Sequence, residues 1–278
     1  MMGILNNSII YHIATILYAC SVSLYFIDYL QSNQKANRIA FWLLSVVWML
    51  ETIFMLIRAT EADTNPILTL LSGVYFYVWL LITLSLMINR LLRVDFLVFF
   101  TNMVAFSVSV FSFFTPFGKT PPVLANRLVS ELVYVHVGMA ITCYATFTLS
   151  LIFSVMYVLQ YRLLKQKKWN RRLQRLGNLT KLDSLSYMLN LFSLPFFLLA
   201  LLLGCIWAYA KLDQFHWYDP KVIGSFIVLF VYSMGIYLRV SDVLQGKNVA
   251  LWNIGAFLVM LINIFLFSSL SAFHFWHL

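Results

Sequence analysis

Charged residues are scarce in this chain. They make up only 10% of its 278 residues, whereas 62% are hydrophobic and the mean hydropathy is +0.85. Soluble domains carry roughly 25% charged and roughly 45–50% apolar residues, so a soluble protein of this composition would leave too much apolar surface in water. The composition therefore excludes a soluble enzyme, a disordered chain and a nucleic-acid-binding domain, and it favours a membrane protein with several spans.

Cysteines and catalytic motifs are also few. The three cysteines, Cys20, Cys143 and Cys205, lie far apart in the sequence, and no CxxC or CxxCH motif is present. The sequence therefore has no thiol redox pair and no site for covalent haem attachment, and we interpret the cysteines as small buried apolar residues. Glycine-rich phosphate loops, paired catalytic carboxylates and an HExxH motif are absent as well. We expect neither a nucleotide-driven pump nor an enzyme.

Long apolar runs account for most of the chain. A membrane-spanning helix needs about 20 mainly apolar residues, and eight runs meet this requirement. Their length and their lack of polar–apolar alternation argue against a transmembrane barrel. We therefore predict an all-α polytopic integral membrane protein, built as a single transmembrane domain over residues 1–278, with 160–185 as its longest loop. The predicted spans are at about residues 7–28, 38–58, 66–89, 95–114, 132–159, 186–209, 221–238 and 249–271.

Basic residues are distributed unevenly between the two sides of these spans. The gaps after the first, third, fifth and seventh spans hold most of the 19 lysines and arginines, and cytoplasmic loops are the ones enriched in such residues. This predicts that both termini are extracytoplasmic. We interpret the basic loop 160–185 as lying against anionic lipid in the cytoplasm, with a protein or nucleic-acid contact as the alternative. The five basic residues on the other side are Arg58, Lys119, Arg127, Lys211 and Lys221.

All five histidines fall on the predicted outer side. His12 and His136 lie in the outer turns of their spans, and His216, His274 and His277 lie in outer segments. Neutral imidazole is a common ligand of iron, copper and zinc, and two histidines from different helices can hold a haem iron. Because a polar group inside an apolar helix is costly, we favour a functional role for His136. The alternative for each of the others is a ring in the headgroup layer.

Aromatic residues cluster at the same predicted face as the histidines. Such a layer suits a flat apolar ligand such as haem, although an aromatic belt at the membrane interface is the alternative interpretation. The cluster consists of Trp207, Phe215, Trp217, Tyr218, Phe273, Phe275 and Trp276.

The segment between the sixth and seventh predicted spans carries a recognisable motif. It reads Gly-Cys-Ile-Trp-Ala over residues 204–208 and Phe-His-Trp-Tyr-Asp-Pro-Lys over residues 215–221. This pattern resembles the tryptophan-rich loop of the cytochrome c assembly superfamily, whose members handle haem in membranes. Leu212, His216 and Tyr218 stand where that superfamily has tryptophans.

The resemblance implies a cofactor and a set of ligands. In that superfamily, one histidine before the loop and one after it bind the haem iron axially. The resemblance therefore implies a non-covalently bound haem b near the outer face, with His136 and His274 as the axial ligands. Alternative iron ligands are His12, His216 and His277. The residues that the resemblance places around the cofactor are Trp207, Trp217, Tyr218, Asp219 and Lys221.

The resemblance also implies a function and a location. Eight-span members of the superfamily that are found with haem-biosynthesis genes in Gram-positive bacteria are associated with control of the level of glutamyl-tRNA reductase. The resemblance thus implies a multi-pass haem-binding regulator in a bacterial plasma membrane. Its partners would be lipid, haem, and glutamyl-tRNA reductase or a membrane protein. Two alternatives stay open: a haem-handling or haem-export component of cytochrome c maturation, and a transporter of another small molecule.

Some of these residues also have a structural interpretation. Asp219 can cap the helix of the seventh span, with Pro220 in its first turn. Lys221 could bind a haem propionate or a lipid phosphate, and Arg58 and Arg127 are rival propionate partners on the same predicted side.

Glu51 lies in the predicted outer half of the second span. A carboxyl group at that depth is costly and is a functional candidate for that reason. It could instead pair with Arg58, seven residues further on, or form a protonated acid that hydrogen-bonds a neighbouring helix.

Overall fold

Helices make up nearly all of the structure, a computed structural model that describes residues 2–60, 70–92, 96–114, 131–167, 175, 177–211 and 216–271. A π-helical turn, Asn263–Phe267, and a last helical turn, Ser268–Leu270, follow directly on the final long helix. The long helices are α1 (Met2–Gln31), α2 (Gln34–Thr60), α3 (Leu70–Leu92), α4 (Leu97–Phe114), α5 (Glu131–Lys165), α6 (Leu179–Lys211), α7 (Pro220–Val240) and α8 (Lys247–Ile262).

Each predicted span coincides with one of these helices. Within the described residues, seven helices are long and apolar enough to cross a membrane, whereas the apolar part of α4 covers only Leu97–Ser112. The prediction of an all-helical, multi-pass membrane protein is thus confirmed, and the crossing of all eight helices stays a prediction. The segment 160–185 is more helical than expected, because α5 continues to Lys165 and α6 begins at Leu179.

The helices pack into two compact units. Unit 1 comprises Met1–Phe117 together with Trp169–Gly177, and unit 2 comprises Gly118–Lys168 together with Asn178–Leu278. The first unit therefore contains α1 to α4, and the second contains α5 to α8.

Unit 1 is a bundle of four helices in which α1 packs against α2 and α4, and α3 packs against α4. Two tryptophans tie α2 to α3: the indole Nε1 of Trp48 donates to Thr83 Oγ1 at 2.8 Å, and that of Trp79 donates to Thr52 Oγ1 at 2.9 Å. Since no water is available inside a bilayer, such side-chain pairs satisfy polar groups that would otherwise be costly there.

Unit 2 is organised around the α5–α6 pair, along which small polar residues face one another. Ser150 Oγ donates to the carbonyl oxygen of Ser186 at 2.9 Å, and Ser193 Oγ donates to Thr146 Oγ1 at 2.5 Å. From α8, Asn253 Nδ2 donates to Ser150 Oγ at 2.8 Å. Small side chains let membrane helices approach closely, and their hydroxyl groups bond across the interface. The apolar core beside this helix interface contains Cys143, Phe147, Phe197, Val228, Tyr232, Ala256, Phe257 and Met260.

The start of α7 confirms the predicted helix cap. Asp219 Oδ1 accepts a hydrogen bond of 2.8 Å from the backbone N–H of Lys221, and Pro220 is the first residue of the helix. Proline lacks an N–H group that would otherwise stay unbonded at this position. The Asp-Pro-Lys segment of the motif therefore fixes where α7 begins.

Candidate functional site

The candidate site lies in unit 2, at the end where α5 begins and α6 ends. His136 is in the second turn of α5, and its Nδ1 atom lies 2.5 Å from the carbonyl oxygen of Ala200 on α6. A carbonyl oxygen can only accept, so Nδ1 must carry the proton. The lone pair of the neutral imidazole is then on Nε2, which is the arrangement of most metal-binding histidines.

Gly204 makes room for this imidazole. A Cβ atom at residue 204 would lie 2.6 Å from Cε1 and 2.8 Å from Nδ1 of His136, closer than real Cβ contacts come. The glycine of the Gly-x-x-Trp-Ala motif is thus the residue that allows the histidine ring to lie against α6. The sequence alone does not reveal this role of Gly204, and its place as the first residue of the motif is the one signal that points to it.

Trp207 belongs to the same region of α6. Residues 200, 204 and 207 are four and then three apart, so they share one face of the helix. Trp207 is 8% exposed, and its indole Nε1 has no hydrogen-bond partner within the described part of the chain. Buried N–H groups are nearly always bonded, so this donor is available to an acceptor on a ligand.

Lys221 has mainly a structural role in this structure. Its side chain is buried, and Nζ donates to the carbonyl oxygen of Asn263 at 3.1 Å and to Ser268 Oγ at 2.9 Å. An ammonium group has three protons to donate, and these two contacts use two of them. The ammonium is also close enough to His136 to interact with it electrostatically, so Lys221 and His136 belong to one site.

The lysine contacts hold the π-helical turn that follows α8. A close approach of α7 supports the same turn, because a Cβ atom at Gly224 would collide with the side chains of Phe267 and Asn263. π-Helical turns are rare and often lie at functional sites. His274 and His277, the predicted downstream histidines, follow this turn and lie outside the described residues, as does Phe215.

Other predicted site residues are at the surface. Trp217 and Tyr218 precede α7 and are 61% and 71% exposed, and the imidazole of His216 lies 4.9 Å from the ring of Tyr218. His12 is an exposed residue of unit 1. In the part of the chain that the structure describes, no three histidine, cysteine, aspartate or glutamate residues are grouped so that they could hold a bare metal ion.

Several known proteins have sequences similar to that of this chain. The family described as "Cytochrome C assembly protein" matches residues 67–274. The chain is 49% identical to Protein HemX of Bacillus subtilis (strain 168), over 93% of this chain and 94% of that protein. It is 42% identical to Protein HemX of Brevibacillus brevis, over 96% of this chain and 97% of that protein.

A more distant relative is the cytochrome c biogenesis protein CcsA of Chlamydomonas reinhardtii, which is 23% identical over 82% of this chain and 65% of that protein. The predicted resemblance is thus confirmed, and the family match includes both His136 and the motif at 204–221. On the strength of that match and of the two HemX relatives, the chain belongs to the cytochrome c assembly protein family.

Proposed function

We propose that this chain is a haem-binding membrane protein that regulates haem synthesis through the level of glutamyl-tRNA reductase. In this proposal it has eight spans and extracytoplasmic termini, and it binds haem b non-covalently near the outer face. The observation that carries the proposal is the geometry of His136, whose Nδ1 proton points to the carbonyl of Ala200 and leaves Nε2 free for iron.

The described donor set suits haem. A structural zinc ion needs four protein ligands and a catalytic one needs three, and the described residues offer no such group. Haem supplies four nitrogen ligands of its own and needs only axial ones from the protein. One well-oriented imidazole from α5, with a second from the segment after α8, meets this requirement.

The groups beside His136 suit the propionates of haem. The unbonded indole N–H of Trp207 and the third proton of the Lys221 ammonium are hydrogen-bond donors in an otherwise apolar region. Charge-assisted hydrogen bonds of a carboxylate with such donors are stronger than neutral ones. We propose His274, which follows the turn held by Lys221 in the sequence, as the second axial ligand.

In this proposal the protein acts through the occupancy of its haem site, and it does not catalyse a reaction. His136 and a second histidine would hold the haem, and the occupancy of this site would depend on how much haem the membrane contains. The regulatory role is carried over from the family resemblance, and the two HemX relatives match almost the full length of this chain.

The absorption spectrum of the purified protein tests haem binding. With haem added and the iron reduced, we expect a Soret band and sharp visible bands typical of two axial imidazoles. His136→Ala should lose these features, whereas His216→Ala is the matched control and should keep them, because His216 is exposed in the turn before α7. A wild-type protein without a Soret band would overturn the proposal.

A haem-handling role in cytochrome c maturation is the second candidate. It is favoured by the similarity to the CcsA protein. It predicts that deletion of the gene abolishes holo-cytochrome c, whereas the regulatory proposal predicts a changed level of glutamyl-tRNA reductase and normal holo-cytochrome c. Measuring both quantities in one deletion strain distinguishes the two.

A further inference from the structure

Unit 1 contains buried polar residues that the proposed function does not use. Three tyrosines on α1, Tyr11, Tyr18 and Tyr25, are seven residues apart and are 7%, 0% and 3% exposed. Seven residues correspond to nearly two helical turns and about 10.5 Å, so the three phenol groups follow one another along one face of the helix. All three residues precede residue 67, where the family match begins.

The first of these phenols is part of a hydroxyl cluster at the end of unit 1 where α1 begins. Tyr11 Oη lies 3.0 Å from Ser109 Oγ and 3.5 Å from Ser112 Oγ, both on α4. Either atom of each pair can be the donor, and Ser112 Oγ also donates to the carbonyl oxygen of Ser109 at 2.7 Å. The rings of Phe54 and Tyr75 pack against the ring of Tyr11, with centroids 5.6 Å and 4.7 Å away.

Glu51 of α2 is the next polar residue towards the middle of the bundle. Its side chain is 9% exposed, and its Oε2 atom has no hydrogen-bond partner within the described residues. The carboxyl group is close enough to both Tyr11 and Tyr18 to interact with them electrostatically. Isolated charge is unfavourable in such surroundings, and intramembrane carboxyl groups commonly mark proton routes.

Beyond Glu51 the polar residues are bonded to one another. Tyr18 Oη donates to Asn102 Oδ1 at 2.9 Å, and Asn102 Nδ2 donates to Ser85 Oγ at 3.0 Å. All three residues are fully buried. The phenol proton of Tyr18 is therefore engaged by Asn102, whereas Oε2 of Glu51 has no hydrogen-bond partner among the described residues.

The opposite end of α1 carries a second carboxylate in a contrasting environment. Asp28 accepts two hydrogen bonds from the guanidinium group of Arg175, at 3.0 and 2.7 Å, and one of 2.7 Å from Asn37 Nδ2. The guanidinium also lies over the ring of Phe96, 4.7 Å from its centroid. Both carboxylate oxygens of Asp28 are therefore engaged by charged or amide donors, whereas Oε2 of Glu51 has no hydrogen-bond partner within the described residues.

We propose that Glu51 is a proton-binding site reached from the membrane face at which α1 begins. Its proton passes through the hydroxyl groups of Tyr11, Ser109 and Ser112. In the uptake step the Glu51 carboxylate takes the proton of the Tyr11 hydroxyl, and Tyr11 takes one through a serine hydroxyl from water outside, so one proton is bound in total. At the opposite end of α1, the Asp28–Arg175 ion pair blocks the proton route.

The groups around Glu51 are nearly all uncharged. Tyr11 and Tyr18 face it from α1, Tyr75 packs beside Tyr11 from α3, and α4 supplies only hydroxyl and amide groups. On α2 itself the nearest cation is Arg58, whose side chain lies outside the described residues. The distribution of basic residues predicts that the face at which α1 begins is the outer one.

A hydrophobic carbodiimide tests the proposal on the full-length protein in oriented lipid vesicles. The O–H of a protonated carboxyl adds across a C=N bond of dicyclohexylcarbodiimide, and the product rearranges to a stable N-acylurea that mass spectrometry can locate. We expect labelling of Glu51, a decline of this labelling as the pH is raised on the predicted outer side, and no response to pH on the other side. Asp28 is the matched control and should stay unlabelled.

Variants and infrared spectra complete the test. Wild-type protein should show the C=O stretching band of a protonated carboxyl at neutral pH, and Glu51→Gln should lose it. Tyr11→Phe should slow the response of this band to an outer pH jump at least several-fold, whereas Tyr25→Phe should not. Absence of the band from the wild type, or a response to the opposite side only, would overturn the proposal. The haem absorption spectrum is recorded on the same samples as a separate readout. It distinguishes failure of the proton-site proposal from failure of the haem-binding proposal.

Discussion

At the scale of single residues, the candidate site depends on how His136 is held. The Nδ1 atom of the imidazole donates a hydrogen bond to the carbonyl oxygen of Ala200, and the ring packs against Gly204, which has no side chain. The sequence indicated that His136 was unusual, because a polar residue in an apolar helix is costly. It could not show the tautomer or the role of Gly204, since both depend on the packing of α5 against α6.

Gly204→Ala should displace the His136 ring. The new Cβ would lie 2.6 Å from Cε1 of His136, and such overpacking costs about 1–3 kcal/mol. We expect haem affinity to fall by about tenfold or more, since each 1.4 kcal/mol changes affinity about tenfold. Titration of the purified variant with haem, followed at the Soret band, measures this.

Gly138→Ala is the matched control for that substitution. Gly138 is two residues from His136 on α5, and a Cβ atom there would meet no atom within 4 Å. The affinity for haem should therefore be unchanged. Equal effects of the two substitutions would show that packing against His136 is not what matters.

At the scale of helices, the sequence predicted more of the fold than of the site. Hydropathy located all eight helices because each apolar run is long, and Asp219 and Pro220 fixed the start of α7. The division into two units was not predictable, because it depends on which helices pack together. The sequence could not show that Lys221 bonds Asn263 and Ser268, because these contacts depend on how α7 packs against the turn after α8.

Lys221→Gln should loosen the end of the last helix. The shorter amide cannot replace both contacts of the ammonium, and loss of a buried hydrogen bond costs about 1–3 kcal/mol. We expect a lower midpoint of thermal unfolding, measured by circular dichroism in detergent. Lys211→Gln changes an exposed lysine at the end of α6 and should leave the midpoint unchanged. A lowered midpoint in both variants alike would refute the role assigned to Lys221.

At the scale of the whole molecule, composition alone identified the class of protein. Apolar residues at 62% and charged residues at 10% leave few alternatives to a multi-pass membrane protein. Seven helices of the described residues are long and apolar enough to cross a membrane, as this class requires. The orientation rests on the positions of the basic residues. It determines whether His136 is near the outside and whether Glu51 takes its proton from there.

Labelling of single cysteines tests this orientation in intact cells. In a background where Cys20, Cys143 and Cys205 are replaced by serine, Lys119→Cys should react with a membrane-impermeant maleimide added outside. Lys168→Cys, in the predicted cytoplasmic loop, should react only after the cells are opened. The reverse pattern would place the termini in the cytoplasm and move the candidate haem site to the inner face.

The most direct test of the central claim is rescue of a cavity variant by free imidazole. His136→Gly removes the proposed iron ligand and leaves space where the ring was. With haem bound and reduced, we predict that the spectrum typical of two axial imidazoles is lost in this variant and returns when imidazole is added. A His136→Gly protein with an unchanged spectrum before the addition would contradict the claim that His136 binds the haem iron.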